Sequence, residues 1–200
     1  MLIDLSVALN ENTPAYPGDP VFTSAESATL AANGYVGHGL TLGTHTGTHI
    51  DAPAHMLADG QTLDAYELTT FVGHGKLIDG FSIEAVTQAN LQPGDIALFN
   101  TGTSSRLHEP SYFTDYPVMG SDIAELLISL GVKLVGLDTC SADSTPDFTV
   151  HKQLLGARIL IIENLTNLQA LQGFDFEVIA LPLKLALDGA PARVVAVVVQ

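Results

Sequence analysis

Residues 45–55 bring together side chains that could bind a metal ion. The stretch reads HTGTHIDAPAH, so three of the chain's seven histidines and one carboxylate fall within eleven positions. Imidazole nitrogen and carboxylate oxygen are donors that Zn²⁺, Mn²⁺ and Fe²⁺ take in proteins. A single histidine is usually a surface or core residue, but these donors are separated mostly by small or turn-forming residues. We therefore predict a metal site with His45, His49, Asp51 and His55 as its candidate donors.

A regular strand or helix could not bring these donors to one ion. In a strand they would share a face, but His45 and His49 would stand ~13 Å apart, whereas a ligand atom lies ~2 Å from its ion. Gly47, the threonines and Pro53 argue against a helix. We therefore predict a tightly bent metal loop at the end of a strand.

Strands with few helices surround this loop in the predicted chain. Apolar runs and turn residues predict strands at 2–9, 21–30, 36–44, 71–78, 95–100, 133–137, 159–162, 178–187 and 193–199, and short helices at 82–89, 122–130 and 165–171. The aromatic segment 105–120 is a candidate lid. With no internal repeat or linker, we predict a strand-rich α/β fold in a single domain over residues 1–200.

Two residues in the second half of the chain are candidates to complete the site. Glu163 ends an aliphatic strand, where a carboxylate is costly unless it is paired or bound to metal. His151 follows a loop that contains Pro146. Either residue alone has a structural explanation, so their candidacy depends on the presence of the 45–55 stretch.

Composition excludes several classes of partner. The 22 acidic and 7 basic residues give a formal charge of −15, which repels nucleic-acid phosphates and anionic membranes. No apolar run approaches the ~18 residues that span a bilayer, and the N-terminus lacks the basic region of a signal peptide. The single cysteine, Cys140, excludes an internal disulfide. We expect a cytoplasmic protein that acts on a small molecule.

The stretch HTGTHIDAPAH resembles the HxGTHxDxPxH signature of the metal-dependent cyclase and bacterial kynurenine formamidase family, which includes isatin-hydrolase-like members. Further segments resemble family blocks in the same order: PAYPGD at 14–19, GVKLVGLDTCSAD at 131–143, the pair His151 and Glu163, and LPLK at 181–184. The resemblance therefore covers nearly the whole chain. It implies the swivelling β/β/α (cyclase-like) fold and a homo-oligomer, either a homodimer or a homotetramer.

The resemblance also implies roles for individual residues. His45, His49 and Asp51 match metal ligands, and Asp51 would bridge to a second ion held by His151 and Glu163. His55 matches the residue that donates and accepts a proton. Tyr16 matches a substrate-contacting position where formamidases often carry Trp, a residue type absent from this chain. The implied cofactor is one or two divalent ions, Zn²⁺ or Mn²⁺.

These residues predict a metal-dependent amidohydrolase. A divalent ion lowers the pKa of bound water to ~7 and polarises a carbonyl. We expect metal-activated water to cleave an amide-type bond, in an aryl formamide such as N-formylkynurenine or in a lactam, while His55 protonates the leaving nitrogen. Two alternatives stay open. His49, Asp51 and His151 also match the facial triad of a non-haem iron oxygenase, and the metal could stabilise a binding protein without catalysis.

Overall fold

The structure is a computed structural model that describes residues 1–199. Its main sheet has eight strands in the order β1-β10-β4-β8-β7-β6-β5-β9, and β10 pairs also with β9. Seven strands therefore close into a ring, and β1 is attached to the outside of β10. The strands are β1 (Leu2–Asp4), β2 (Thr23–Ala28), β3 (Gly37–Thr41), β4 (His49–Asp51), β5 (Val72–Asp79), β6 (Ile96–Asn100), β7 (Leu134–Leu137), β8 (Leu160–Glu163), β9 (Asp175–Pro182) and β10 (Gly189–Val199).

The central strands β5 to β8 are parallel neighbours. Almost every residue of β6, β7 and β8 is buried, which explains their unbroken aliphatic sequences. Alternate residues enter two cores: Ile96 and Leu98 pack inside the ring, whereas Ala97 and Phe99 pack against the helices. The ring therefore has a filled interior and an outer face that helices cover.

Four α-helices join these strands: α1 (Leu30–Asn33), α2 (Ile83–Gln88), α3 (Ser121–Leu130) and α4 (Thr149–Gly156). Ser82 is the N-cap of α2, as predicted, because its hydroxyl accepts a hydrogen bond from the Ala85 amide. Helix α3 buries its predicted apolar stripe and ends at Gly131, which has a φ of 71°. Helix α4 was not predicted, although it carries His151.

Strands β2 and β3 form a separate two-stranded sheet, which we call the arm (residues 23–41). Most of its residues are exposed. Within residues 1–199, its strands pair only with each other. The arm therefore extends from the ring with little apolar support from the rest of the chain.

Several predicted elements differ from the structure. The opening strand is only Leu2–Asp4, and the predicted helix at 165–171 is a 3₁₀ turn at Leu168–Leu171. The candidate lid contains a second 3₁₀ turn, Pro110–Phe113, whose Tyr112 is fully buried and hydrogen-bonded to Asn164. That segment is thus tied to the ring. In the part of the chain that the structure describes, the helices are all too short or too polar to cross a membrane.

Candidate metal centre and active site

Strand β4 fixes two of the predicted donors by its pairing with both neighbours. His49 lies opposite Glu163 of β8, and Asp51 lies opposite Gly189 of β10. Ile50 packs into the ring core, so His49 and Asp51 point to the outer face because successive side chains alternate. Glu163 points the same way for the same reason. The sheet itself therefore places one imidazole and two carboxylates side by side.

The loop before β4 brings His45 to the same place. It follows β3 and bends at Gly47, which has a φ of 66°, a value that glycine adopts without strain. The Thr48 hydroxyl donates to the Asn164 carbonyl at 2.6 Å and accepts from the Val7 amide at 2.9 Å. The predicted bent loop is therefore present, but it ends before His49, and residues 49–51 are strand.

Asp51 lies at the centre of the donors. Its Oδ1 is 2.8 Å from His45 Nδ1 and 3.3 Å from His49 Nε2, and its Oδ2 is 3.6 Å from His151 Nε2. Glu163 spans the other side, with Oε1 3.1 Å from His151 Nε2 and Oε2 3.6 Å from His49 Nε2. The five residues predicted as metal ligands thus form one cluster.

The donors fall into two sets of three that share Asp51. His45, Asp51 and His55 offer ligand atoms within 4.8 Å of one another, and so do His49, Asp51 and Glu163. This grouping differs from the predicted one, which put His49 with His45 and left His55 out. A single carboxylate common to both sets is the arrangement expected of a bridging ligand.

Two atoms in this cluster fit a cation. His49 Nε2 and Asp51 Oδ2 are buried and have no hydrogen-bond partner within residues 1–199. Unpartnered buried polar atoms are rare because their desolvation is not repaid. A divalent cation among them would satisfy both atoms, and imidazole with carboxylate is a suitable donor set. The residues present therefore fit a divalent metal.

A second layer of contacts orients the donor rings. His151 Nδ1 lies 2.7 Å from Asp143 Oδ2, and the Asp143 carboxylate also accepts the Val150 and His151 amides at the start of α4. His49 Nδ1 lies 2.8 Å from the Gly47 carbonyl. Both histidines consequently direct Nε2 at the cluster, as ligating histidines do when their other nitrogen is hydrogen-bonded.

The electrostatics of the cluster favour positive charge at its centre. Burial opposes protonation of His151, but Asp143, Asp51 and Glu163 outweigh it and raise its pKa to about 12. Burial likewise opposes protonation of His45, whose contacts with Asp51 and Asp188 raise its pKa to about 9. Burial raises the pKa of Asp51, but the neighbouring histidines hold it well below its ordinary value. A bound cation would replace these protons, so we expect metal affinity to fall in acid.

The donors open onto a cavity of about 340 Å³. Tyr16 lies in its wall, as predicted for a substrate contact, and meets Phe113 edge to face with ring centroids 5.7 Å apart. Phe148 stands 5.9 Å from the His151 ring. The wall consists of Pro14, Tyr16, Asp19, His45, Gly47, His49, His55, Met56, Phe113, Cys140, Ser141, Phe148, His151, Glu163 and Asn164. Polar donors and aromatic rings thus face one space.

The histidines predicted to be structural lie outside this cavity, namely His38, His74 and His108. His74 has partners that were not predicted: its Nε2 is 2.7 Å from Asp175 and its Nδ1 is 3.5 Å from Asp95. Sequence reasoning also missed Asp143 and Asp188, which contact the donor histidines. Both lie at ends of predicted segments, where an aspartate is equally typical of a turn.

Comparisons with known proteins agree with this geometry. A family model named Cyclase, described as "Putative cyclase", matches residues 3–144. Kynurenine formamidase from Bacillus cytotoxicus is 36% identical over 96% of this chain and 95% of its own length, and the Bacillus cereus protein is 35% identical over the same shares. Isatin hydrolase A from Labrenzia aggregata superposes with a TM-score of 0.89 at 24% identity, over 98% of this chain and 93% of that one.

Proposed function

Because the chain belongs to the cyclase family, as its sequence predicted, we propose that it is a metal-dependent hydrolase that cleaves an amide-type bond. One observation carries this proposal: the imidazole and carboxylate donors that converge on Asp51 leave two buried atoms unpartnered, at the wall of a cavity large enough for a small substrate. A binding protein with no chemistry would have no need of such a costly cluster at the wall of a cavity.

The proposed ligands are His45, His49 and Asp51 for one ion, and Asp51, His151 and Glu163 for a second. When bound, a divalent ion supplies Lewis acidity, which makes water nucleophilic at neutral pH and polarises a carbonyl. Zn²⁺ and Mn²⁺ both suit a mixed imidazole and carboxylate set. We propose one of these two as the native ion.

His55 is the proposed proton carrier. It lies in the cavity wall on the 3₁₀ turn Pro53–His55 and is more exposed than His49 or His151. Its Nδ1 lies 3.3 Å from Asp188 Oδ2, so Nε2 is the atom left to exchange a proton with the substrate. Transfer of a proton to the leaving nitrogen is typically worth ~10²–10⁴-fold in rate.

The proposed substrate is a small amide that carries an aryl ring. Tyr16, Phe113 and Phe148 give the cavity aromatic surfaces, on which a planar ring packs favourably. The matched relatives include kynurenine formamidases, and a structural neighbour is an isatin hydrolase. N-formylkynurenine and isatin are therefore the first compounds to test.

The facial-triad oxygenase is the less favoured alternative. A triad of His49, Asp51 and His151 would leave His45 and Glu163 without a role. The structure instead places both of these residues within the same cluster as the triad. We therefore retain the hydrolase.

The test is hydrolysis by protein stripped of metal and reloaded with Zn²⁺ or Mn²⁺. We expect ring opening of isatin or deformylation of N-formylkynurenine only after reloading, and loss of bound metal and turnover in His49→Ala. His38→Ala is the matched control, because His38 lies on the arm, away from the cavity. Reloaded protein that hydrolyses no formamide, lactam or lactone would overturn the proposal, and O₂ consumption with Fe²⁺ and a 2-oxo-acid would favour the oxygenase.

We also propose that the protein is a cytoplasmic homo-oligomer in which the arm contacts a second copy. An isolated two-stranded sheet is marginally stable in water, and the arm has no sheet neighbour within residues 1–199. It exposes more than half of the surface of Tyr35 and Leu40. The single buried cysteine suits a reducing compartment.

A further inference from the structure

Asp188 contacts two of the histidines discussed above with a single oxygen. Its Oδ2 lies 2.9 Å from His45 Nε2 and 3.3 Å from His55 Nδ1. The two rings lie against each other, with centroids 4.0 Å apart. Asp188 does not belong to either set of candidate metal donors and does not line the cavity. Its carboxylate therefore lies behind the two rings as seen from the cavity.

The backbone around Asp188 is held by the sheet. Its carbonyl accepts the Ala52 amide at 2.8 Å, and the next residue, Gly189, begins β10 opposite Asp51. A Cβ on Gly189 would lie 2.7 Å from His45 Cε1, so the His45 ring packs directly on the Gly189 backbone. Carboxylate and ring are thus positioned by the pairing of β4 with β10.

An ionised carboxylate can only accept hydrogen bonds, and an aspartate is ionised at neutral pH. The ring nitrogens that face Asp188 must therefore carry hydrogen. For a neutral His55 this means Nδ1–H, with the lone pair at Nε2. For a neutral His45 it means Nε2–H, with the lone pair at Nδ1, the nitrogen that faces Asp51.

We propose that Asp188 is a positioning residue that sets the tautomers of His45 and His55 in opposite senses. It makes Nδ1 of His45 available as a ligand atom and Nε2 of His55 available as the proton acceptor. The proposal rests on the proposed function for the roles of the two histidines. The tautomers themselves follow from the contacts alone.

The direct test is long-range ¹H–¹⁵N NMR of the histidine rings in the Zn²⁺-loaded protein, with His55 assigned by the signal lost in His55→Gln. We expect His55 to carry its proton on Nδ1. In Asp188→Asn the side-chain amide can present N–H instead, and we expect a mixed or reversed His55 tautomer. Wild-type protein whose His55 is protonated at Nε2 alone would overturn the proposal, whatever the variants do.

Kinetics and metal binding give a second readout. Because Asp188 does not line the cavity, Asp188→Asn should lower kcat with little change in KM. Loss of a carboxylate behind a ligating histidine typically weakens metal binding 10–100-fold, which competition with a chelator would measure. Asp59→Asn is the matched control: Asp59 also precedes a glycine in a turn, but its carboxylate makes no hydrogen bond or ion pair within residues 1–199.

The outcomes separate this proposal from the proposed function. A folded Asp188→Asn variant with wild-type tautomers, chelator competition and kcat would overturn the role of Asp188 while leaving hydrolysis intact. A shifted His55 tautomer in a protein that hydrolyses none of the test compounds would support Asp188 as a positioning residue and overturn the hydrolase.

Discussion

Exposure separates the histidines that we propose as ligands from the one proposed to carry protons. His49 and His151 are each about 2% exposed, whereas the His55 side chain is 27% exposed. A ligand benefits from a site that excludes water, because low polarity strengthens its interaction with a cation. A proton carrier must reach the substrate and exchange its proton afterwards. The difference in exposure therefore agrees with the proposed division of roles.

Replacement of His55 by Gln should separate chemistry from metal binding. We expect His55→Gln to keep the wild-type metal content and to lose ~10²–10⁴-fold in kcat, because only the proton transfer is removed. His49→Gln should lose metal as well as turnover. Elemental analysis and steady-state kinetics on the same preparations would measure both effects. A His55→Gln protein that loses its metal would make His55 a ligand, and one with full turnover would remove it from the mechanism.

Single residues were predictable from sequence where their spacing carried the information. His45, His49, Asp51 and His55 lie within one short stretch, and Glu163 could be recognised because a carboxylate ends an apolar strand. Asp188 could not be recognised in this way, because its contact with His45 joins residues 143 positions apart. That contact depends on the register between β4 and β10, which the chain's local pattern does not determine.

At the level of elements, strands were easier to predict than helices in this chain. The aliphatic runs of β6, β7 and β8 are fully buried, and their predicted bounds agree with the structure to within one residue at each end. Helix α4 has only eight residues, and it begins after Phe148, which has a φ of 47°. Its start relies on Asp143, which accepts the first amides from outside the helix. No N-cap residue adjacent to the helix therefore marks it in the sequence.

The 3₁₀ turn that carries His55 depends on a glycine. A Cβ on Gly60 would lie 2.2 Å from the Pro53 carbonyl carbon, and that backbone cannot move without moving the turn. We expect Gly60→Ala to cost about 1–3 kcal/mol of the free energy of unfolding, as overpacking does, and to lower kcat by displacing His55. Thermal unfolding and kinetics would measure the two effects.

Gly39→Ala is the control for this substitution. A Cβ on Gly39 meets nothing within 4 Å, so stability and kcat should stay close to the wild-type values. Equal behaviour of Gly60→Ala and Gly39→Ala would show that the backbone at Pro53 adjusts freely.

The attachment of β1 to β10 should depend on pH. Arg193 donates two hydrogen bonds to the Asp4 carboxylate, at 2.9 and 2.7 Å. Burial raises the pKa of Asp4, but the Arg193 contacts outweigh it and lower the pKa overall. A lowered folded-state pKa means that the pair stabilises the protein above the unfolded pKa of ~3.9 and loses its effect as pH falls through the folded value.

We therefore expect Arg193→Met to destabilise the protein at pH 7 by at most ~1 kcal/mol, because both side chains are largely exposed and solvent screens the pair. The difference from wild type should shrink below about pH 4 and in 1 M salt. Urea unfolding of both proteins at pH 7 and pH 3 measures it, and the protonation of metal ligands cancels in the comparison. A difference that stays constant across pH would exclude the ion pair as its source.

At the scale of the whole molecule, the exposed arm gives a prediction about assembly. Tyr35 is 62% exposed and Leu40 is 60% exposed. If a second copy covers these residues, charged replacements should prevent association. We expect the double variant Tyr35→Glu/Leu40→Glu to sediment as a monomer while wild-type protein sediments as a dimer or tetramer.

The control for the arm is Leu68→Glu, which changes an equally exposed leucine outside it. This variant should keep the wild-type sedimentation coefficient. Wild-type protein that is monomeric across the micromolar range would contradict the proposed homo-oligomer, and dissociation by both variants would show that the arm has no special part in association.

The closure of the ring by β10 has a consequence for how the enzyme is made. β10 is the last strand of the ring in the chain, and it pairs with β1, β4 and β9. A nascent polypeptide that has emerged from the ribosome only as far as Leu187 would already hold every proposed metal ligand, yet β4 would lack one of its two neighbours. Uptake of metal in its final geometry is therefore expected at the end of translation, once β10 has docked.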